Sequence, residues 1–167
     1  MKNGVILVVD DEQRQRETLA TVITGWGHEV RQAKNALTAL EMVKGEAIDL
    51  IVTDLRMPGL SGLDLLAQCR ELRPDIAVVM MTAYGTIEGA VEAMRHGASD
   101  FVTKPIDLDQ LEVVVNKALA MRQLVRENKA LRRRLVETSA GFRLLGGSRP
   151  MAELMDRAGR AAETDAT

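Results

Sequence analysis

Asp10, Asp11, Asp54, Thr82 and Lys104 are the side chains through which this sequence could do chemistry. If the three carboxylates converge they repel, by on the order of 4 kcal/mol for a pair about 4 Å apart at an effective dielectric of about 20, so the group implies a divalent cation. Hard oxygen donors with no His or Cys beside them select Mg2+, with Mn2+ as the alternative, and Mg2+ retains waters and accepts a phosphate oxygen. A carboxylate in such a site is a nucleophile towards phosphorus, forming an aspartyl phosphate once cations neutralise the transferred oxygens. The ion would do this from one side and Lys104 from the other, while the Thr82 hydroxyl donates a hydrogen bond to the new phosphate.

Singly, each residue has a plainer use. An Asp pair after a strand caps the next helix, a strand-end Thr belongs to a turn, and Lys-Pro makes a surface bend. Their joint placement is what points to a site: Asp10 and Asp11 follow the apolar run Val5 to Val9, Asp54 follows Ile48 to Val52, Thr82 follows Ala77 to Met81, and Lys104 follows Phe101 and Val102.

Short continuous apolar runs are strands buried on both faces, as in a parallel sheet, and a weaker one surrounds Val30. Helical spacing fills the gaps, through Leu19, Val22 and Ile23, then Leu37, Leu40 and Val43, then Leu63, Leu66 and Cys69, then Ala90, Val91 and Met94. Gly25, Gly45, Pro74 and Gly97 are suitable stops for these helices. Alternating strands and helices with right-handed crossovers make an α/β doubly wound fold, here a five-stranded parallel sheet of order 2-1-3-4-5, flavodoxin-like. In that order the first strand lies beside the third, so Asp10, Asp11 and Asp54 meet at the carboxyl ends of the strands, where open sheets of this kind build their sites.

Bulk properties narrow the function further. With 46% hydrophobic and 28% charged residues the chain has the balance of a globular protein, and 2% aromatics leave an aliphatic core. A net charge of −2 and a pI near 5.8 argue against a broad basic surface, so no direct nucleic-acid binding is expected. Cys69 is the single cysteine, which rules out an internal disulfide and reads as a buried helix residue. Neither a membrane span nor a secretory signal is expected, which implies a cytoplasmic protein. His28, beside Gly27, and His96, before Gly97, receive no catalytic role.

The last helix is longer than the domain needs. From Leu108 the pattern runs to about Leu135, roughly 40 Å at the α-helical rise, and Thr138-Ser139-Ala140-Gly141 is expected to break it. Met121, Leu124, Asn128, Leu131 and Leu135 recur at alternating steps of three and four, the spacing of a coiled-coil seam. With Met121, Asn128 and Leu135 at a positions, Glu127 falls at g and Arg132 at e, oppositely charged across a parallel dimer. The organisation expected is therefore a domain over 1–120, a linker helix and dimer stalk over 121–140, and a remainder over 141–167. A solvated helix end is the alternative to the stalk.

Val8-Val9-Asp10-Asp11-Glu12, Asp54-Leu55-Arg56-Met57-Pro58-Gly59, Thr82-Ala83 and Lys104-Pro105 together resemble the receiver domain of bacterial two-component response regulators, over about residues 4 to 120. The resemblance implies that Asp54 accepts a phosphoryl group from a sensor histidine kinase and that Asp11, Asp54 and the Arg56 carbonyl ligate Mg2+, with Asp10 assisting through water. It implies phosphate contacts from Thr82, Ala83 and Lys104, a cis Lys104–Pro105 bond, and a switch coupling Thr82 to Phe101, where the family more often has Tyr. The output and dimer face would be the fourth helix, fifth strand and fifth helix. Leu145-Gly146-Gly147-Ser148, Met151 and Glu163 to Thr167 resemble the start of the AAA+ ATPase domain in activators of the nitrogen-type alternative sigma factor. With no Gly-x-x-x-x-Gly-Lys-Ser/Thr loop, the residues present make a receiver, a linker and an ATPase stub rather than an ATPase.

Three rivals remain. An aspartyl-phosphate phosphatase would want Asp-x-Asp rather than the adjacent pair Asp10-Asp11. A flavin module would want a hydroxyl-rich loop where Asp10, Asp11 and Glu12 stand. A dimerisation module with a dead site would keep the fold and lose the chemistry. The stalk pattern needs no phosphate, so restraint of the ATPase until phosphorylation is the expected sign of control.

Overall fold

The computed structural model describes residues 4–82, 91 and 93–141. Five strands, β1 Val5–Val9, β2 Glu29–Ala33, β3 Leu50–Asp54, β4 Ala77–Thr82 and β5 Asp100–Thr103, pair in parallel in the order β2-β1-β3-β4-β5. Helices α1 Gln13–Gly25, α2 Ala36–Gly45 and α3 Gly62–Leu72 connect the first four, and a C-terminal helix spans Leu108–Gly141.

Strand side chains alternate between faces, which explains why the central runs are apolar throughout. Leu7, Val9, Ile51, Val78 and Met80 pack on one face against Leu40 and Val43 of α2 and Leu65, Leu66 and Cys69 of α3. Ile6, Val8, Val52, Val79 and Met81 pack on the other against Leu19 and Ile23 of α1 and Leu111 and Val115 of the C-terminal helix. Each fully buried aliphatic side chain contributes about 1.5–3 kcal/mol of transfer free energy, so the strand ends that carry Asp10 and Asp54 rest on a stiff frame.

Local signals place the helix starts. Asn35 caps α2 by accepting from the Thr38 N–H at 2.9 Å, and Ser61 caps α3 in a reciprocal box with Asp64. The Ser61 hydroxyl and backbone N–H hold the Asp64 carboxyl below its usual range.

Several helix positions differ from expectation. Leu37 is exposed, because α2 faces the sheet through Ala36, Ala39, Leu40 and Val43. Val91 and Met94 are also exposed, and Ala93 makes the buried contact instead; Ala90 lies outside the described residues. The C-terminal helix continues through Thr138-Ser139-Ala140 to Gly141 rather than breaking there. Thr and Ser cost only about 0.5 kcal/mol each relative to Ala inside a helix, and Gly141 occupies the terminal position, where its cost is small. Residues 142–167, with the expected ATPase stub, lie outside the described residues.

Arg122 is the last buried residue described on the C-terminal helix. Its Nε donates to the Asp75 carbonyl at 2.9 Å and its guanidinium meets the Asp49 carboxylate, whose other oxygen accepts from the Val5 N–H at 2.8 Å. The helix is thus fastened at the amino ends of β1, β3 and β4. Met121, Leu124, Leu131 and Leu135, expected to lie in the seam, are all more than half exposed.

Candidate functional site

The carboxyl ends of β1, β3, β4 and β5 bring the expected residues together. Asp54 and Thr82 are the last residues of their strands rather than the first beyond them, and Asp10 and Lys104 directly follow β1 and β5. Asp10, Asp11 and Asp54 each offer a carboxylate oxygen within 4.8 Å of the other two. Asp10 is buried, Asp54 half-buried and Asp11 exposed, so the cluster opens to solvent on one side.

Asp10 divides its two oxygens. Oδ1 accepts from the Glu12 N–H at 2.8 Å, while Oδ2 is buried with no hydrogen-bond partner among the described residues. Burial pushes the Asp10 carboxyl above its usual range; the Glu12 N–H and Lys104 oppose the shift, and Asp54 and Asp11 add to it. Asp54 accepts from the Arg56 N–H at 3.0 Å on Oδ1 and meets the Lys104 ammonium on Oδ2. The same ammonium stands 3.6 Å from Asp10 Oδ2, and its backbone N–H donates to the Thr82 carbonyl at 2.7 Å. The Lys104–Pro105 bond is cis.

An orphaned buried carboxylate oxygen inside a group of three is a site with too much negative charge for one lysine. The donor set, all hard oxygen, fits a divalent cation such as Mg2+. Asp10, Asp11 and Asp54 could hold it.

Thr82 is buried at the end of β4, in register with Thr103. Phe101, half-buried, packs on the α2–α3 face of the core. Arg56 is exposed, and Ala83 lies outside the described residues.

Two polar residues of α1 and one glycine escaped the sequence reading. Gln15 Oε1 accepts from Lys104 Nζ at 3.2 Å, and the Arg16 guanidinium donates to the Asp10 carbonyl at 2.6 Å. Their only sequence signal is position, one helical turn past Asp10-Asp11. Gly62 opens α3 so close to β3 that a Cβ there would overlap the Asp54 carbonyl oxygen.

Residues 6–116 match the response regulator receiver domain family. The chain belongs to that family. As a receiver domain it is similar to the transcriptional regulatory protein ZraR of Klebsiella oxytoca, 37% identical over 97% of this chain and 35% of ZraR. It is also similar to the crystal structure of NtrX from Brucella abortus, 37% identical with a TM-score of 0.75 over 96% of this chain and 34% of NtrX. A receiver domain structure from Clostridium thermocellum, 31% identical, superposes with a TM-score of 0.69 over 73% of this chain and 98% of that one. This receiver and its flanking residues therefore span about a third of the length of the curated relatives. Receiver domains generally bind Mg2+ at an acidic pocket of this kind.

Proposed function

We propose that this chain is the phosphoacceptor part of a two-component response regulator and that Asp54 takes the phosphoryl group. The observation that carries the reading is the Lys104 ammonium set between Asp54 and the orphaned oxygen of Asp10, at a carboxylate group suited to a divalent ion. Asp11, Asp54 and the Arg56 carbonyl would ligate Mg2+, or Mn2+, with Asp10 acting through water. When bound, the ion neutralises charge on the transferred oxygens.

The remaining work belongs to the chain. A carboxylate oxygen of Asp54 attacks phosphorus, forming an O–P bond as the P–N bond of a phosphohistidine, or the P–O bond of an acyl phosphate, breaks and its electron pair leaves with the donor. Lys104 then transfers its hydrogen bond from the carboxylate to a phosphoryl oxygen, and Thr82 and Ala83 complete the phosphate contacts. The acquired charge of about −1.5 to −2 shifts an existing equilibrium, with Thr82 and Phe101 as the switch and the fourth helix, fifth strand and fifth helix as the output face.

A sensor histidine kinase would be the donor, in the cytoplasm. The exposed seam from Met121 to Leu135 supports a homodimer through the linker helix, and rearrangement of that dimer would release a restrained AAA+ domain of a sigma-factor activator. This portion would be a regulatory domain rather than an enzyme, touching neither DNA nor membrane; among the described residues no helix is long and apolar enough to cross a bilayer. Mg2+ titration followed by uptake of label from a radioactive acyl phosphate tests the reading. Magnesium-dependent uptake is expected, and Mg2+ binding with no uptake would favour a dead-site dimerisation module.

A further inference from the structure

The Lys104 ammonium is held by more than the two carboxylates. Its Nζ also donates to Gln15 Oε1 at 3.2 Å, across 89 positions of sequence. An ammonium has three donors and no acceptor, so only the oxygen end of the amide can face it. Gln15 is half-buried in the opening turn of α1. That turn is fixed in its own right, because the neighbouring Arg16 donates to the Asp10 carbonyl at 2.6 Å.

We infer that Gln15 is a positioning residue for phosphoryl transfer, acting through Lys104. The inference rests on Asp54 being the phosphoacceptor. During transfer the ammonium must leave the Asp54 oxygen that becomes bonded to phosphorus and follow the negative charge onto a phosphoryl oxygen. Asp54 and Asp10 both change their own bonding as ion and phosphate arrive. Among the described residues, Gln15 is the side-chain partner of Lys104 that stays neutral and unreacted throughout, so it anchors the ammonium while the carboxylate contacts exchange. A long, mobile lysine otherwise loses much of its rotamer freedom when it is ordered. Unlike Asp54 and Asp10, Gln15 holds the ammonium without competing as a counter-charge for the incoming phosphate.

The test compares Gln15→Met, which keeps length and helix propensity but removes the acceptor, with the parent chain, each with and without Lys104→Met. The readouts are the rate of phosphoryl incorporation from acetyl phosphate at saturating Mg2+, the Mg2+ affinity and the thermal midpoint. Gln15→Met should incorporate phosphate about tenfold more slowly, the worth of one hydrogen bond to a charged group. Its Mg2+ affinity and midpoint should match the parent's, and it should have no further effect once Lys104 is Met. An unchanged rate, a loss matched by weaker Mg2+ binding or a lower midpoint, or an equal loss in the Lys104→Met background would overturn the inference while leaving Asp54 as acceptor. No incorporation by the parent would overturn both.

Discussion

Lys104 and Asp54, fifty residues apart, are in direct contact at the carboxyl edge of the sheet. That contact exists because β5 and β3 flank β4 in parallel, so residues closing the two strands emerge at the same edge. The Lys104 ammonium there pairs with Asp54 and stands 3.6 Å from Asp10 within a group of three carboxylates, and the imbalance falls on Asp10, whose buried Oδ2 has no hydrogen bond among the described residues.

Removing that charge should therefore stabilise the ion-free protein. Asp10→Asn is expected to raise stability in EDTA by about 1 kcal/mol, because it replaces an incompletely paired buried carboxylate. The same variant should lose most of the rise in thermal midpoint that Mg2+ confers on the parent. Thermal melts with and without Mg2+ check both; equal ion-induced shifts in the two proteins would show that Asp10 takes no part in holding the ion.

The loop after β3 leaves no space for a side chain at Gly62. A methyl there would overlap the Asp54 carbonyl oxygen, which is backbone and cannot swing aside. Gly62→Ala should cost about 1–3 kcal/mol despite the better helix propensity of Ala, through overpacking against β3. It should also move the amide resonances of Asp54 and Leu55. A urea midpoint equal to the parent's would mean that the loop yields at no cost.

His28 supplies a pH dependence remote from the site. It is buried, accepts from the Gly4 N–H at 3.3 Å, and burial pushes its pKa below the ordinary 6.5 against a smaller opposing pull from Glu112. The unfolded chain therefore binds the proton first as pH falls. The contribution of His28 to stability is complete above about pH 6.5 and is lost as pH drops from there towards the lower folded value. His28→Gln, which keeps an acceptor without a titrating ring, should flatten the stability curve across that window in denaturant titrations, and parallel curves would contradict the assignment.

Strand order and the placement of Asp10, Asp11, Asp54, Thr82 and Lys104 at one edge of the sheet were legible because both depend on strong signals. Runs such as Val5 to Val9 must be buried on both faces, and polar residues ending such runs must share an edge. Helix faces were less legible. Leu37, Val91 and Met94 fit the helical spacing as well as their buried neighbours do, and small residues such as Ala36, Ala39 and Ala93, which allow close approach to the sheet, carry little hydrophobic signal. Gln15 and Arg16 were invisible for a related reason: a polar residue on a helix surface looks solvated until the lysine or carbonyl it meets is placed in space.

The most direct measurement is the intact mass of the parent chain and of Asp54→Ala after incubation with acetyl phosphate and Mg2+. A single phosphoryl adduct on the parent, absent from Asp54→Ala and from a magnesium-free control, is the predicted result. An adduct that persists in Asp54→Ala, or forms equally well without the metal, would contradict the account.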